Sequence, residues 1–240
     1  MNEDEFQKLL EMEARQISVM LSKEQLHQFY LYSMLLLEWN QKMNLTTIVK
    51  PEEIITKHFV DSLTIHPFVP KGSYVADVGT GAGFPGIPLG IIRRDCTIVL
   101  MDSLQKRVNF LQEVISKLKL THITAIHTRA EEAGNNELYR EKFDIVTARA
   151  VASMNTLLEY LLPLCKKEGN VICMKGNNIA EEMEKSKKAL EVLKGRVKKQ
   201  DTFCLPQSDY QRSIIIIEKT GSTPNNYPRM QGKPSKDPIC

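Results

Sequence analysis

Long apolar runs are missing from this 240-residue chain. The densest, residues 214–217, is four isoleucines, far short of the roughly 18 residues a membrane helix needs. Cysteine is scarce and odd in number: Cys96, Cys165, Cys173, Cys204 and Cys240 include no C-x-x-C pair. That excludes a disulfide frame and argues for reduced thiols. The five histidines form no ligand-spaced cluster, so no metal site is expected. Charge of one sign is also lacking. Lys plus Arg number 32 against 29 Asp plus Glu, a net charge of +3, which excludes a polycationic packaging protein and an acidic disordered chain but not a nucleic-acid partner. The amino terminus, MNEDEFQKLLEMEAR, is acidic where a secretion signal would be basic and then apolar. The expectation is a cytoplasmic protein without metal or membrane anchor.

With 42% hydrophobic and 25% charged residues, the chain has the composition of a globular core-forming protein. No glycine precedes Gly72, and the first ~65 residues carry helical periodicity. Asn2 and Ser22 stand as caps, Pro51 opens a third helix, and the only tryptophan, Trp39, lies in the second segment. From residue 72 short apolar runs alternate with helical stretches. Strands are expected at 74–78, 97–101, 123–127, 143–147 and 170–174, with helices over 84–94, 103–120 and 154–165. This is the signature of parallel βαβ units. Residues 197–205 and 213–219 are strands joined by a connection too short for a crossover helix, so they should pair antiparallel. The fold class is α/β, a Rossmann-like sheet with a helical lead. Three regions follow: a helical 1–68, a ligand-binding domain 69–220, and a basic, proline-rich, extended tail 221–240.

The main chemical signal is Asp77-Val78-Gly79-Thr80-Gly81-Ala82-Gly83-Phe84-Pro85-Gly86, set between a strand and a helix. Glycines let the backbone take positive φ and approach a ligand, and open α/β sheets bind ligands beyond the carboxyl ends of their strands. Two ligands compete. Gly81-x-Gly83-x-x-Gly86 has the dinucleotide spacing, and Asp102 follows Gly81 by 21 residues, near the position of a ribose-binding acid. Against a dinucleotide, Asp77 would repel a pyrophosphate. An acid followed by Gly79, Gly81 and Gly83 resembles the loop of class I S-adenosylmethionine (SAM) methyltransferases. In those enzymes the loop acid faces the methionine end and the second-strand acid receives the ribose hydroxyls. The terminal antiparallel pair also favours SAM over NAD.

Other motifs are weighed on the same terms. Ser103 serves either as a helix cap or as a ligand contact. Ala130 and Glu131 follow the third strand, where backbone N–H groups can read an adenine edge. Arg149 closes the fourth strand; it stays protonated, so it is no base, but it can hold a carboxylate, a phosphate or a guanine edge. His58, Asp61 and Ser62 contain the residue types of a hydrolytic triad, yet they lie within five residues and lack a nucleophile elbow, so capping and packing explain them better. Residues 185–199 hold seven Lys or Arg against Glu191, whereas residues 1–24 hold three against six acids. The basic run is either a solvated helix face or, with the tail cations, a phosphate-binding face.

Taken together, these residues resemble the glucose-inhibited division protein B family, bacterial 16S rRNA guanine-N7 methyltransferases. The resemblance runs through Trp39-Asn40 and Asn44-Leu45-Thr46, residues 58–63, the loop 77–86 with Ile87-Pro88, Arg129-Ala130-Glu131, Ala148-Arg149-Ala150 and the tail from Tyr227-Pro228-Arg229 to Lys236. Met230 stands where a second basic residue is expected. The resemblance implies SAM as cofactor and N7 of one guanosine in 16S rRNA, free or in the small subunit, as methyl acceptor. Cofactor contacts are expected from Asp77, Gly79, Gly81, Gly83, Phe84, Asp102, Ser103, Leu104, Ala130, Glu131 and Arg149. Substrate contacts are expected from His58, Asp61, Lys175, Arg212, Arg229, Lys233 and Lys236. No catalytic acid or base is expected, because guanine N7 carries a lone pair and no proton. Two alternatives stay open on the residues alone: a SAM-binding RNA-binding regulator without turnover, and an NAD-dependent oxidoreductase.

Overall fold

Asn2 and Ser22 each accept a hydrogen bond from the third residue of the helix they cap, and the side chains of Glu5 and Gln25 return the bond. These reciprocal boxes satisfy backbone donors that a helix start leaves free and fix α1 (Glu3–Gln16) and α2 (Lys23–Asn40). The computed structural model describes residues 1–177 and 179–240. After α3 (Pro51–Ile54) the chain widens into one π-helical turn, Ile55–Val60, before α4 (Asp61–Leu63). Such turns re-aim side chains and recur at functional sites; here the turn carries Lys57 and His58.

The sheet strands are β1 (Tyr74–Val78), β2 (Thr97–Asp102), β3 (Ile123–His127), β4 (Phe143–Arg149), β5 (Cys165–Lys175), β6 (Gly195–Cys204) and β7 (Gln211–Lys219). Their spatial order is β3-β2-β1-β4-β5-β7-β6. The first five are parallel, while β7 runs antiparallel to both β5 and β6. The order reverses between β1 and β4, which creates the crevice where this topology binds ligands. Between strands lie α5 (Gly86–Ile92), α6 (Gln105–Lys117), α7 (Ala130–Asn135), α8 (Met154–Leu161), α9 (Ile179–Lys185) and α10 (Lys187–Val192). The helical lead shares one apolar core with one sheet face: Phe6, Phe29 and Tyr32 join Val75, Ile98 and Ile145 in a continuous buried cluster. A second cluster on the opposite face includes Leu157, Leu158, Leu161 and Ile215.

Three expectations change. The helix from Met154 ends at Leu161 rather than 165, because Pro163 lacks the N–H that would continue it. The tail is not extended throughout: residues 233–236 form α11 (Lys233–Lys236), and the segment packs on the body. The basic run 185–199 is largely paired. Lys185, Lys187 and Lys188 meet Glu181, Glu184 and Glu191, and across β6 and β7 Arg196 meets Glu218. Much of that charge lies on β6, the sheet edge, where charged residues discourage a further strand from adding.

Candidate functional site

At the carboxyl end of β1 the loop is organised by its own acid. One oxygen of the fully buried Asp77 accepts from Thr80 Oγ1 at 2.6 Å and from the Gly86 N–H at 2.8 Å. Gly86 must be glycine, since a Cβ there would come within 2.8 Å of that same oxygen. The other oxygen, Oδ1, is buried without a partner. Burial pushes the Asp77 carboxyl up to about 6, although Thr80 and Gly86 pull it back. Gly79, at φ +67°, donates to Met101 O at 2.8 Å and turns the loop toward β2.

Asp102 closes β2 and faces the loop. Its carboxylate accepts from the N–H groups of Gly81 and Leu104, each at 2.9 Å. A carboxylate has about four lone-pair sites, so two backbone bonds leave acceptor capacity for a hydroxyl. Ser103 does not cap α6, whose cap position is Leu104 without a side-chain bond. The Ser103 residue instead borders a cavity of about 420 Å³ formed also by Gly79, Asp102, Ala130, Glu131 and Val151. This cavity lies beyond the ends of β1, β2 and β3.

A second cavity, of about 360 Å³, opens beyond β4 and β5 and is lined by Lys57, His58, Asp61, Arg149, Lys175 and Arg212. Asp61, almost wholly buried, accepts from Arg149 Nη1 at 2.9 Å and from Arg212 Nε at 3.1 Å. Arg149 also donates to Lys57 O at 3.1 Å and, through Nη2, to His58 Nδ1 at 3.2 Å. Guanidinium cannot accept, so His58 Nδ1 is unprotonated and Nε2–H donates to Thr46 Oγ1 at 2.8 Å. Burial, then the neighbouring Arg149 charge, pushes the His58 imidazolium down to about 3. The ring is therefore neutral at physiological pH. It stacks on Phe84 at 4.4 Å, and the Arg149 guanidinium covers the same ring at 4.9 Å. Ser62 donates to the His58 backbone carbonyl, not to its ring, so the hydrolytic reading has no geometry behind it.

The two cavities meet at the tip of β4. Arg149 and Ala150 line one, and Val151 lines the other. Ala150 holds φ +55°, a left-handed conformation uncommon for alanine that tends to persist at functional sites. Val151 lies so close over Gly79 that a Cβ on the glycine would stand 2.8 Å from Val151 Cγ2. Lys175 ties this tip to β5 by donating to Ala152 O at 2.8 Å while pairing with Glu182 at 2.6 Å.

The sequence-expected residues therefore divide. Gly79, Asp102, Ser103, Ala130 and Glu131 line the larger cavity; Arg149 lines the smaller one with His58, Asp61, Lys175 and Arg212. Asp77, Gly81, Gly83, Phe84 and Leu104 support the loop without bordering either. Lys236 lines the larger cavity, apart from the other expected substrate residues. Arg229 is held in a fork by the buried Glu159 at 2.6, 2.9 and 3.2 Å, and Lys233 pairs with Asp237, so neither is a free tail cation. Sequence reasoning missed Lys57, Val151, Gln231 and Ser235. A lone acid within the apolar helix run Leu157-Leu158-Glu159-Tyr160-Leu161 was the one available sign that a distant cation docks there. Among the described residues no three His, Cys, Asp or Glu side chains gather as a metal site, and no helix is long and apolar enough to cross a membrane.

The comparisons with known proteins bear on this site. The chain matches the family described as rRNA small subunit methyltransferase G over residues 25–214. It is 52% identical to the ribosomal RNA small subunit methyltransferase G of Acetivibrio thermocellus, covering 97% of this chain and 96% of that one. It is 49% identical to the protein of the same name from Desulfitobacterium hafniense, covering 98% of each. Among solved structures it is similar in fold to M. jannaschii TYW2 in complex with AdoMet, with TM-score 0.54, 14% identity, and 66% of this chain and 74% of that one covered. It is likewise similar to a SAM-dependent methyltransferase from Aquifex aeolicus, with TM-score 0.52, 18% identity, and 75% and 97% covered. As a member of this methyltransferase family the chain takes SAM as its cofactor, and the dinucleotide spacing around Gly81 is a coincidence of glycine content. The residues fit it: Asp102 keeps acceptor capacity beside the larger cavity, and behind the loop Asp77 Oδ1 is a buried oxygen without a partner. The chain belongs to the rRNA small subunit methyltransferase G family of SAM-dependent enzymes.

Proposed function

We propose that this enzyme methylates N7 of a single guanosine in 16S rRNA, with SAM in the 420 Å³ cavity and the guanosine in the 360 Å³ cavity. The observation that carries this reading is the junction of the two cavities at Arg149, Ala150 and Val151. It gives a methyl donor and an acceptor base one shared border. SAM, when bound, supplies an electrophilic methyl group on a sulfonium centre.

The residues of the smaller cavity suit a nucleotide. Lys57, Arg149, Lys175 and Arg212 outnumber Asp61 and Glu182, which favours an anionic phosphate group. Asp61 fixes both arginine side chains, so their remaining N–H groups are directed rather than mobile. Guanine O6, next to N7, is an acceptor that an arginine can hold. Guanine N7 bears no proton, so positioning suffices for transfer. This accords with a site whose only imidazole is neutral and already bonded through both nitrogens. Family membership favours turnover over the regulator reading. We place the reaction in the cytoplasm, on rRNA either free or within the small subunit.

The test is incubation of the protein with methyl-labelled SAM and small-subunit rRNA lacking the mark, free and assembled. Label should appear at one guanosine whose strand becomes cleavable by borohydride and aniline, the reaction of N7-methylguanosine. Label on a different atom would overturn the acceptor assignment, and one methyl or fewer per protein would restore the regulator.

A further inference from the structure

The segment 221–240 is fastened to the body at many points. Arg140 donates to the carbonyls of Thr223, Pro224 and Tyr227. Asn135 donates to Pro228 O at 3.1 Å, and Pro228 packs over Gly134, where a Cβ would stand 2.7 Å from its ring. The backbone N–H and guanidinium of Arg229 both bond to Glu159. The Gly232 N–H donates to Glu131 Oε1 at 3.0 Å, and Thr156 Oγ1 donates to Pro234 O at 3.1 Å. Such a network holds a strap, not a mobile arm.

The strap crosses the larger cavity. Gln231, Gly232, Ser235 and Lys236 line it together with Asp102 and Ser103. Lys233, on the same short helix, is paired with Asp237, while Lys236 has no ion-pair partner among the described residues and borders the cavity. The cavity therefore has an acceptor wall, Asp102, and a donor wall, Lys236. A nucleoside presents hydroxyl donors and ring-nitrogen acceptors, and matches both.

We propose that residues 229–236 are the outer wall of the cofactor cavity and that Lys236 donates to the adenosine part of SAM. This rests on reading that cavity as the SAM site. It assigns the tail a cofactor role in place of the phosphate-binding role its composition suggests. Glu131 is the link, since its side chain holds the strap while its residue borders the cavity. Strap docking and cofactor binding are then coupled, and coupling is reciprocal.

The test is calorimetric titration of SAM into the full chain. Lys236→Ala, an exposed change, should weaken SAM about tenfold, the loss of one charge-assisted hydrogen bond. Lys233→Ala should leave SAM affinity within about twofold. In the unsubstituted protein SAM should slow backbone hydrogen exchange across residues 229–236. Unchanged SAM affinity in Lys236→Ala, or unchanged exchange in the strap, would overturn the inference. If Lys236→Ala instead raised only the KM for rRNA, the tail would be an RNA element. Absence of SAM binding by the unsubstituted protein would overturn the placement of the cofactor itself.

Discussion

The carboxylate of Asp61 binds the Arg149 guanidinium at 2.9 Å, and this pair joins the helical lead to the tip of β4. Residues 88 positions apart thus share the smaller cavity, and Arg149 stands where it meets the larger one. Arg212 completes the group from β7 at 3.1 Å. Asp61 is only 2% exposed, so removing either partner leaves a buried acceptor short of a donor.

Arg149→Ala should therefore lower stability as well as activity. Removing one partner of a buried pair typically costs about 3–5 kcal/mol, and Arg212 remains to offset part of it, so about 2 kcal/mol is expected. The double variant Asp61→Ala/Arg149→Ala should recover about 1 kcal/mol or more of the summed single losses, the coupling usual for contacting charges. Urea denaturation measures this. Methylation should stay at least ~10-fold reduced in the double variant, since Arg149 also borders the site. Recovery of activity along with stability would reduce Arg149 to a purely structural partner.

A pH profile separates the two perturbed groups of the site. Burial raises the folded Asp77 carboxyl to about 6 from the ordinary 3.8. The apo fold thus holds this proton more tightly than the unfolded chain does, and the group's favourable contribution is present at low pH and lost as pH rises through 6. Cofactor binding has the opposite sense, because a cation favours the ionised carboxylate. SAM affinity should be flat above about pH 7 and fall as pH drops through 6. Asp77→Asn should flatten the calorimetric profile. His58, held near 3, does not titrate in this window, so the inflection should survive in His58→Gln; its disappearance there would assign it to the imidazole.

The buried ammonium of Lys219 offers a prediction away from the site. Fully enclosed, it donates to Leu162 O at 2.6 Å, Thr223 Oγ1 at 2.6 Å, Glu141 at 3.1 Å and Cys165 O at 3.3 Å. Burial pulls its pKa down while Glu141 pulls it up. Lys219→Met keeps the length but takes the cation from Glu141, which keeps the Thr223 N–H, and a charged donor from the carbonyls of Leu162 and Cys165, a loss of about 3 kcal/mol. At this chain size that corresponds to roughly 6–12 °C in Tm, readable by calorimetry. A shift under 2 °C would mean water replaces the ammonium.

How much of this was legible depends on how local each signal is. The strand β1 and its glycine loop were readable because an apolar run ends in an acid and glycines within ten residues. The boxes at Asn2 and Ser22 were readable because capping is a three-residue affair. The antiparallel pairing of β6 with β7 was readable from a short connection, but not the insertion of β7 between β5 and β6, which packing decides. How the tail docks was not readable, because Arg229 meets Glu159 across 70 residues. A charge count sees Arg229 and not its partner. Gly79, Asp102, Ser103, Ala130 and Glu131 line the larger cavity from near the β-strand ends and were named, whereas Gln231 and Ser235 reach it only through the docked strap.

Trp39 provides the last prediction. Its indole ties the helical lead to the sheet: it donates to Glu113 of α6 at 3.0 Å and packs on Phe110 at 5.6 Å. Gln28 further binds Leu118 O at 2.8 Å, and Tyr32 donates to Ala82 O in the glycine loop. Phe59 sits between Phe29 and Phe84, so lead and sheet share aromatic contacts. With one core spanning both, the lead has no separate unit to unfold. Fluorescence of the single tryptophan and far-ultraviolet circular dichroism should then give coincident urea transitions. Midpoints separated by more than about 0.5 M, against slopes of 1–3 kcal/mol/M typical of small proteins, would show that the lead melts first and that Tyr32 does not hold the loop.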